Sequence, residues 1–151
     1  MRSYLVVIDE SDESALAMRF AARRAARTGG KVHVLAVVAP QEFVAWGGAQ
    51  ATMEDEARAR AEALVAGAAG TLALENGISP TITVRLGKDI DVVRDVIADD
   101  KEIVALVLGA AASGNPGPLV SHFAGSDAGT MGCPVFIIPG SLSIEDIDRL
   151  S

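Results

Sequence analysis

Short apolar runs alternate with longer amphipathic stretches along the whole chain. Tyr4-Leu5-Val6-Val7-Ile8, residues 32–38 and residues 103–108 are continuous and rich in β-branched side chains. That pattern predicts strands buried on both faces of a parallel sheet. Thr81-Ile82-Thr83-Val84 and Pro134-Val135-Phe136-Ile137-Ile138 complete a set of five. Between the first two strands, Ser11 or Asp12 caps a helix that reaches about Thr28. Leu16, Phe20 and several alanines face inward, and Gly29-Gly30 stops it. After Pro40, residues 41–51 read as an irregular excursion holding Phe43, Trp46 and Gly47-Gly48. In the long helix that follows, Ala57, Ala61, Leu64, Ala68 and Leu72 share one face, and Gly77 closes it. Ile90, Val93 and Ile97 stripe a third helix. A loop over 109–118 leads to a fourth, expected over 119–128. From Ser143 the pattern predicts one or two further helical turns, with Ile144, Ile147 and Leu150 on one side.

Strict strand–helix alternation predicts an α/β fold: a three-layer αβα sandwich around a five-stranded parallel sheet. The 151 residues fit one domain over 1–140 with a tail over 141–151. Half of the residues are hydrophobic but only 4% are aromatic, so the core must be aliphatic and alanine-rich. The net charge of −7 disfavours nucleic acid and anionic membranes as partners. The strongest basic cluster, Arg19, Arg23, Arg24 and Arg27, reads as a solvated helix face. Asp99-Asp100, Asp146 and Asp148 read as solvated surface too. Cys133 is the single cysteine, so an intrachain disulfide is excluded and a reducing, cytoplasmic setting is expected. The first apolar run stops at Asp9 and Glu10, too soon for a secretory signal, and no stretch is long and apolar enough to span a bilayer.

The order and spacing of five segments resemble the universal stress protein family. Ile8-Asp9-Glu10-Ser11 is similar to the end of its first strand, and Val34-Leu35-Ala36-Val37-Val38 to its second. Val84-Arg85-Leu86-Gly87 and Leu106-Val107-Leu108-Gly109 are similar to its third and fourth strands with their glycines. Cys133-Pro134-Val135-Phe136-Ile137-Ile138-Pro139 is similar to its last. The 114–121 loop and the ending 139–148 look like a proteobacterial subgroup. The resemblance implies strand order 3-2-1-4-5, a Rossmann-like arrangement whose switch point lies between strands one and four. It also implies a homodimer through strand five, the edge carrying Val135, Phe136, Ile137 and Ile138. An apolar edge with no interrupting charge needs such cover; folding back of the tail is the alternative.

Ligands of such sheets bind beyond the carboxyl ends of the strands, at the switch point. Asp9 and the loop from Gly109 meet there, with Val37 beside them. In nucleotide-binding relatives, the resemblance implies, the matching acid and valine hold adenosine, and the loop holds phosphates. The family's phosphate motif is Gly-x-x-Gly, nine residues, then Gly-Ser or Gly-Thr. Gly109 fits its first position, but Ala112 and His122 stand at the next two glycines, and Gly125-Ser126 lies three residues late. Gly114 and Gly117 offer another anion nest, yet Pro116 and Pro118 remove two N–H donors. The expectation is therefore a non-catalytic, dimeric stress-response binding or regulatory module with an altered pocket and unidentified protein partners. The alternative is an ATP- or AMP-binding nucleotide switch with weak ATPase activity, aided by Mg²⁺ near Asp9, Glu10, Asp12 and Glu13.

Other chemistries fit less well. A phosphoacceptor receiver needs an acid after strand three and a lysine after strand five, where Gly87 and Pro139 stand. Gly125-Ser126-Asp127-Ala128-Gly129 misplaces a glycine of the hydrolase elbow. His33, His122 and Cys133 are too scattered for a transition-metal site. The histidines read as packed or solvated, Cys133 as a small buried hydrophobe, and Trp46 as an anchor for its loop.

Overall fold

The computed structural model describes residues 1–40 and 47–151; Phe43 and Trp46 fall outside them. The elements run β1 (Ser3–Val7), α1 (Asp12–Thr28), β2 (Lys31–Val38), α2 (Gly47–Asn76), β3 (Thr81–Leu86), α3 (Asp89–Asp99), β4 (Ile103–Ala110), α4 (Pro118–Phe123), a 3₁₀ turn (Ala128–Thr130), β5 (Val135–Pro139) and α5 (Ile144–Leu150). The strand order is β3-β2-β1-β4-β5, and every pairing is parallel. β1 is central, with Val6 opposite Val34 on one side and Val107 on the other.

Alternating strand residues build two cores. Tyr4, Val6 and Ile8 pack beneath α1 and α2 with Val34, Val107 and the α1 alanines Ala17, Ala21 and Ala25. Leu5, Leu35 and Leu106 pack on the other face with Val93 of α3 and Phe123 of α4. Each fully buried Leu or Val contributes about 1.5–3 kcal/mol relative to exposure, so the central strands dominate stability. The small side chains of α1 let its backbone lie close to the sheet.

Local signals set the helix ends. Ser11 caps α1, its hydroxyl accepting from the Ser14 N–H at 3.3 Å. Asp12 and Glu13 occupy the first turn, where the helix dipole favours negative charge. Gly29 ends the helix in the left-handed conformation, φ 68°.

Three local expectations differ from the structure. α2 begins at Gly47, inside the expected excursion, because two glycines in a first turn have few internal hydrogen bonds to lose. α4 stops at Phe123 rather than Ala128. Gly125 is a poor helix former, and the Asp127 side chain binds His122 across the resulting turn. α5 forms, but Ile147 alone is buried, while Ile144 and Leu150 are 53% and 49% exposed. Steps of three residues fall short of the 3.6-residue turn, so about 60° of drift per step carries the ends away from Ile147.

The arginines of α1 correct a further expectation. Arg19 donates to both oxygens of Asp148, from Nε at 2.7 Å and Nη2 at 2.8 Å. Arg23 donates to the Ser151 hydroxyl and the Asp148 carbonyl, and Arg27 to the Ser151 backbone oxygen at 2.6 Å. Arg24 lies over the Phe136 ring at 5.5 Å. What reads as a solvated basic face is the seat of α5, and Asp148 is its counter-charge. Asp146 is likewise occupied, closing a capping box with Ser143.

Candidate functional site

β1 and β4 end side by side, and the α1 and α4 starts diverge from them. This switch point opens a cleft of about 140 Å³ lined by Asp9, Glu13, Asp89, Gly109, Gly117 and the flanking prolines. Asp9, Gly109 and Gly117 are thus brought together as the sequence implies. Val37 lines a neighbouring crevice of about 300 Å³ that shares Asp9 and adds Ala39, Arg60 and Leu64.

The groups of the cleft are largely occupied by one another. Oδ1 of Asp9 accepts from the Ser11 N–H at 2.8 Å and also from the Ser11 hydroxyl. The Asp9 N–H donates to the Ser14 hydroxyl at 2.9 Å. These bonds pin the first turn of α1 to the end of β1. Gly109 serves the same junction: a Cβ there would stand 2.3 Å from the Glu13 carbonyl oxygen. Its lack of a side chain is therefore needed for helix packing, whether or not it also faces a ligand.

The loop after β4 folds onto itself. The Gly117 N–H donates to Oδ1 of Asn115 at 2.8 Å, and the Ala111 N–H to the Pro116 carbonyl at 3.2 Å. With Pro116 and Pro118 lacking donors, two further loop amides are thus taken. Gly117 adopts φ 116°, and Gly114 adopts φ 71° without lining the cleft. Gly125 and Ser126 lie beyond the far end of α4, away from Asp9. The Ser126 hydroxyl faces Nδ1 of His122 at 3.4 Å, and Nε2 of His122 contacts Oδ2 of Asp127 at 2.7 Å. Arg94 donates to the same Oδ2, from Nε at 2.8 Å and from Nη2. The Arg94 and His122 hydrogen bonds hold the Asp127 carboxyl below the usual carboxylate range. That hydroxyl–imidazole–carboxylate series ends on an ion-paired acid, so the carboxylate is a weak support for a histidine base.

The fit to a nucleoside triphosphate is poor on these observations. Three carboxylates and no lysine or arginine line the switch-point cleft, which repels phosphates. Its volume is below the roughly 300–1,000 Å³ usual for small-molecule sites. The neighbouring crevice has that volume, an apolar wall and Arg60 at its edge, features that suit a nucleoside. Among the described residues, no group of three acids, histidines or cysteines is placed to hold a metal ion. Asp89 was not singled out from the sequence. Its signal was its place at the start of α3, just past the carboxyl end of β3.

His33 is buried, with Nε2 2.8 Å from the Thr83 hydroxyl. Its Nδ1 has no hydrogen-bond partner and faces Oδ2 of Asp100 at 3.9 Å. Burial lowers its pKa, outweighing the pull of Asp100. No described helix is long and apolar enough to cross a membrane.

Known proteins with this arrangement share both its sequence pattern and its fold. The family model for the universal stress protein family matches residues 1–139. A universal stress protein from Lactobacillus plantarum superposes with a TM-score of 0.77 at 20% identity, covering 91% of this chain and 97% of its own. A universal stress protein in complex with cAMP gives 0.60 at 17% identity, with 93% and 98% covered. One from Archaeoglobus fulgidus in complex with dAMP gives 0.55 at 20% identity, with 91% and 98% covered. No curated protein sequence matches the chain. With the family model spanning all five strands and the sheet order agreeing, the chain belongs to the universal stress protein family.

Proposed function

We propose that this protein is a non-catalytic binding and regulatory module that works as a homodimer in the cytoplasm and does not bind ATP tightly. The carrying observation is the switch-point cleft, where Asp9, Glu13 and Asp89 meet without a facing cation. Phosphates placed there would meet like charge, and four loop positions offer them no free amide: Ala111 and Gly117 are already bonded, and Pro116 and Pro118 have none. Isothermal titration with Mg-ATP is expected to show no dissociation constant below about 10 μM, roughly −7 kcal/mol; tighter binding overturns the reading.

A second reading is favoured by the shared wall of Asp9 and Val37. Two relatives are complexes with cAMP and dAMP, ligands with one phosphate instead of three. AMP, lying along the Val37 crevice with its phosphate toward Arg60, is the nucleotide that this chain's geometry best accommodates. Mass spectrometry of the supernatant from denatured protein separates the readings, since copurifying adenine nucleotide supports only the second. Asp9→Ala is expected to weaken any ligand of this crevice at least about tenfold, on the order of 1.4 kcal/mol.

Dimerisation is proposed through β5. It pairs only with β4 among the described strands, and α5 seats against α1 instead of along the strand's open side. Val135, Phe136 and Ile137 are partly exposed on it. Phe136 packs edge-on against Phe20 and Ile137 against the second core, so the probe Ile137→Lys is paired with circular dichroism to confirm that the variant folds. Sedimentation is expected to show a wild-type dimer that this charge dissociates; a monomeric wild type refutes the interface. The buried, single Cys133 is compatible with a reducing compartment.

A further inference from the structure

A second cleft, of about 550 Å³, opens at the opposite end of the sheet from the switch point. Its apolar lining is Ile97 from the last turns of α3, Ile103 from the start of β4 and Met131 before β5, with the exposed Ala98 at its edge. Its rim carries Arg94 and Lys101 as cations and Asp100 and Asp127 as acids. The formal charges balance, yet the cations keep donors that the rim acids do not take.

Each rim acid is engaged through one oxygen. Oδ1 of Asp100 accepts the Glu102 N–H at 2.9 Å, and Oδ2 faces His33. Oδ2 of Asp127 is shared by Arg94 and His122. The cations retain free donors. Nη1 of Arg94 has only a 3.9 Å approach to Asp91, itself 63% exposed. Lys101 has no hydrogen bond or ion pair among the described residues. An apolar floor with spare cationic donors at its rim suits an anion with an apolar body.

We propose that this amino-end cleft binds a small organic monoanion of the aromatic or branched-chain carboxylate class, its carboxylate held by Lys101 and Arg94 and its apolar body seated on Ile97, Ile103 and Met131. Placed at the opposite end of the sheet, the site is independent of any nucleotide at the switch point. It gives the module a means of sensing a metabolite with no phosphate.

The probe is phenylacetate, with phenylacetamide as its neutral isostere, titrated into uniformly ¹⁵N-labelled full-length protein. Saturable shifts are expected at Ile97, Lys101, Met131 and Gly132, with the amide binding at least about tenfold more weakly. Lys101→Met changes an exposed side chain and is expected to weaken phenylacetate by a similar factor. Ala98→Glu, on the exposed face of α3, places a like charge in the cleft and is expected to abolish the shifts while leaving the remaining spectrum in place. The proposal is overturned by no saturable shift up to roughly 10 mM phenylacetate, by equal binding of acid and amide, by unchanged affinity in Lys101→Met, or by shifts centred on Asp9, Gly109 and Gly117.

Discussion

Beside the start of α1, Asp9, Glu13 and Asp89 share one cleft that no lysine or arginine among the described residues lines. Farther along the same helix, Arg19, Arg23 and Arg27 all donate to residues of α5 or the chain just beyond it. One region collects like charge, and the other cancels it. Charges that are matched within the chain serve to hold it together, as in the α1–α5 clasp. Carboxylates left facing one another must be tolerated for some other reason, because gathering them opposes folding. The α5 half of the clasp lies beyond residue 139, where the family model ends, and its arginine half lies within the matched residues.

The largest expected effect comes from breaking the clasp at its apolar anchor. Ile147 is fully buried and belongs to the same core as Val6, Val34 and Ile138. Ile147→Ala removes that packing and leaves a cavity beneath a seven-residue helix that cannot stand alone. Chemical denaturation should show a loss of about 2–5 kcal/mol. A loss under about 1 kcal/mol would mean that the cavity collapses and that α5 is peripheral, which would undo the contrast with the cleft.

A smaller loss is expected at the cleft, from Gly109→Ala. Here the new methyl must push the Glu13 carbonyl from 2.3 Å to contact distance, displacing the first turn of α1. Overpacking of this kind costs about 1–3 kcal/mol. The same substitution separates two roles for the glycine. If Gly109 serves packing, stability falls whether or not nucleotide is present. If it serves only as a phosphate contact, stability holds and binding alone changes.

Much of this was legible in the sequence, and the exceptions have physical reasons. The five strands and their parallel pairing follow from buried runs and chain connectivity, whereas their order was implied by the family resemblance, and with that order the switch-point rule set Asp9 beside Gly109. The partners of Arg19, Arg23 and Arg27 were not legible, because Asp148 is 129 residues from Arg19 and solvated and paired arginines look alike in one dimension. Their spacing of four residues was a usable hint, since it puts three guanidinium groups on one stripe. The placement of Ser126 beside His122 and Asp127 was obscured by the expectation of a longer α4. A helix end moved by five residues changes which side chains gather at the sheet's amino end.

The smallest expected effect sharpens the comparison through pH. Asp148 has its carboxyl pKa held below the ordinary value, first by the Arg19 hydrogen bonds and then by the charges of Arg19 and Arg23. The pair is partly exposed, Arg19 at 31% and Asp148 at 33%, so solvent screens it and the gain is modest. A carboxyl whose folded pKa lies below its unfolded value of 3.8 stabilises fully above that value. The stabilisation is lost as pH falls through the folded pKa and is absent below both. Asp148→Asn keeps the shape but removes the charge, so the variant should be less stable than the wild type at pH 7, by a gap that stays constant down to about pH 5. The two stability curves should then converge as the pH falls below 3.8. Raising the salt at pH 7 should narrow the same gap, because exposed pairs are screened within a Debye length of roughly 8–10 Å. Thermal melts of both proteins across this range check the reading. Parallel curves that never converge would show that the asparagine side chain loses shape complementarity instead of charge, and the clasp would then owe its hold to Ile147 and the Ser151 contacts alone.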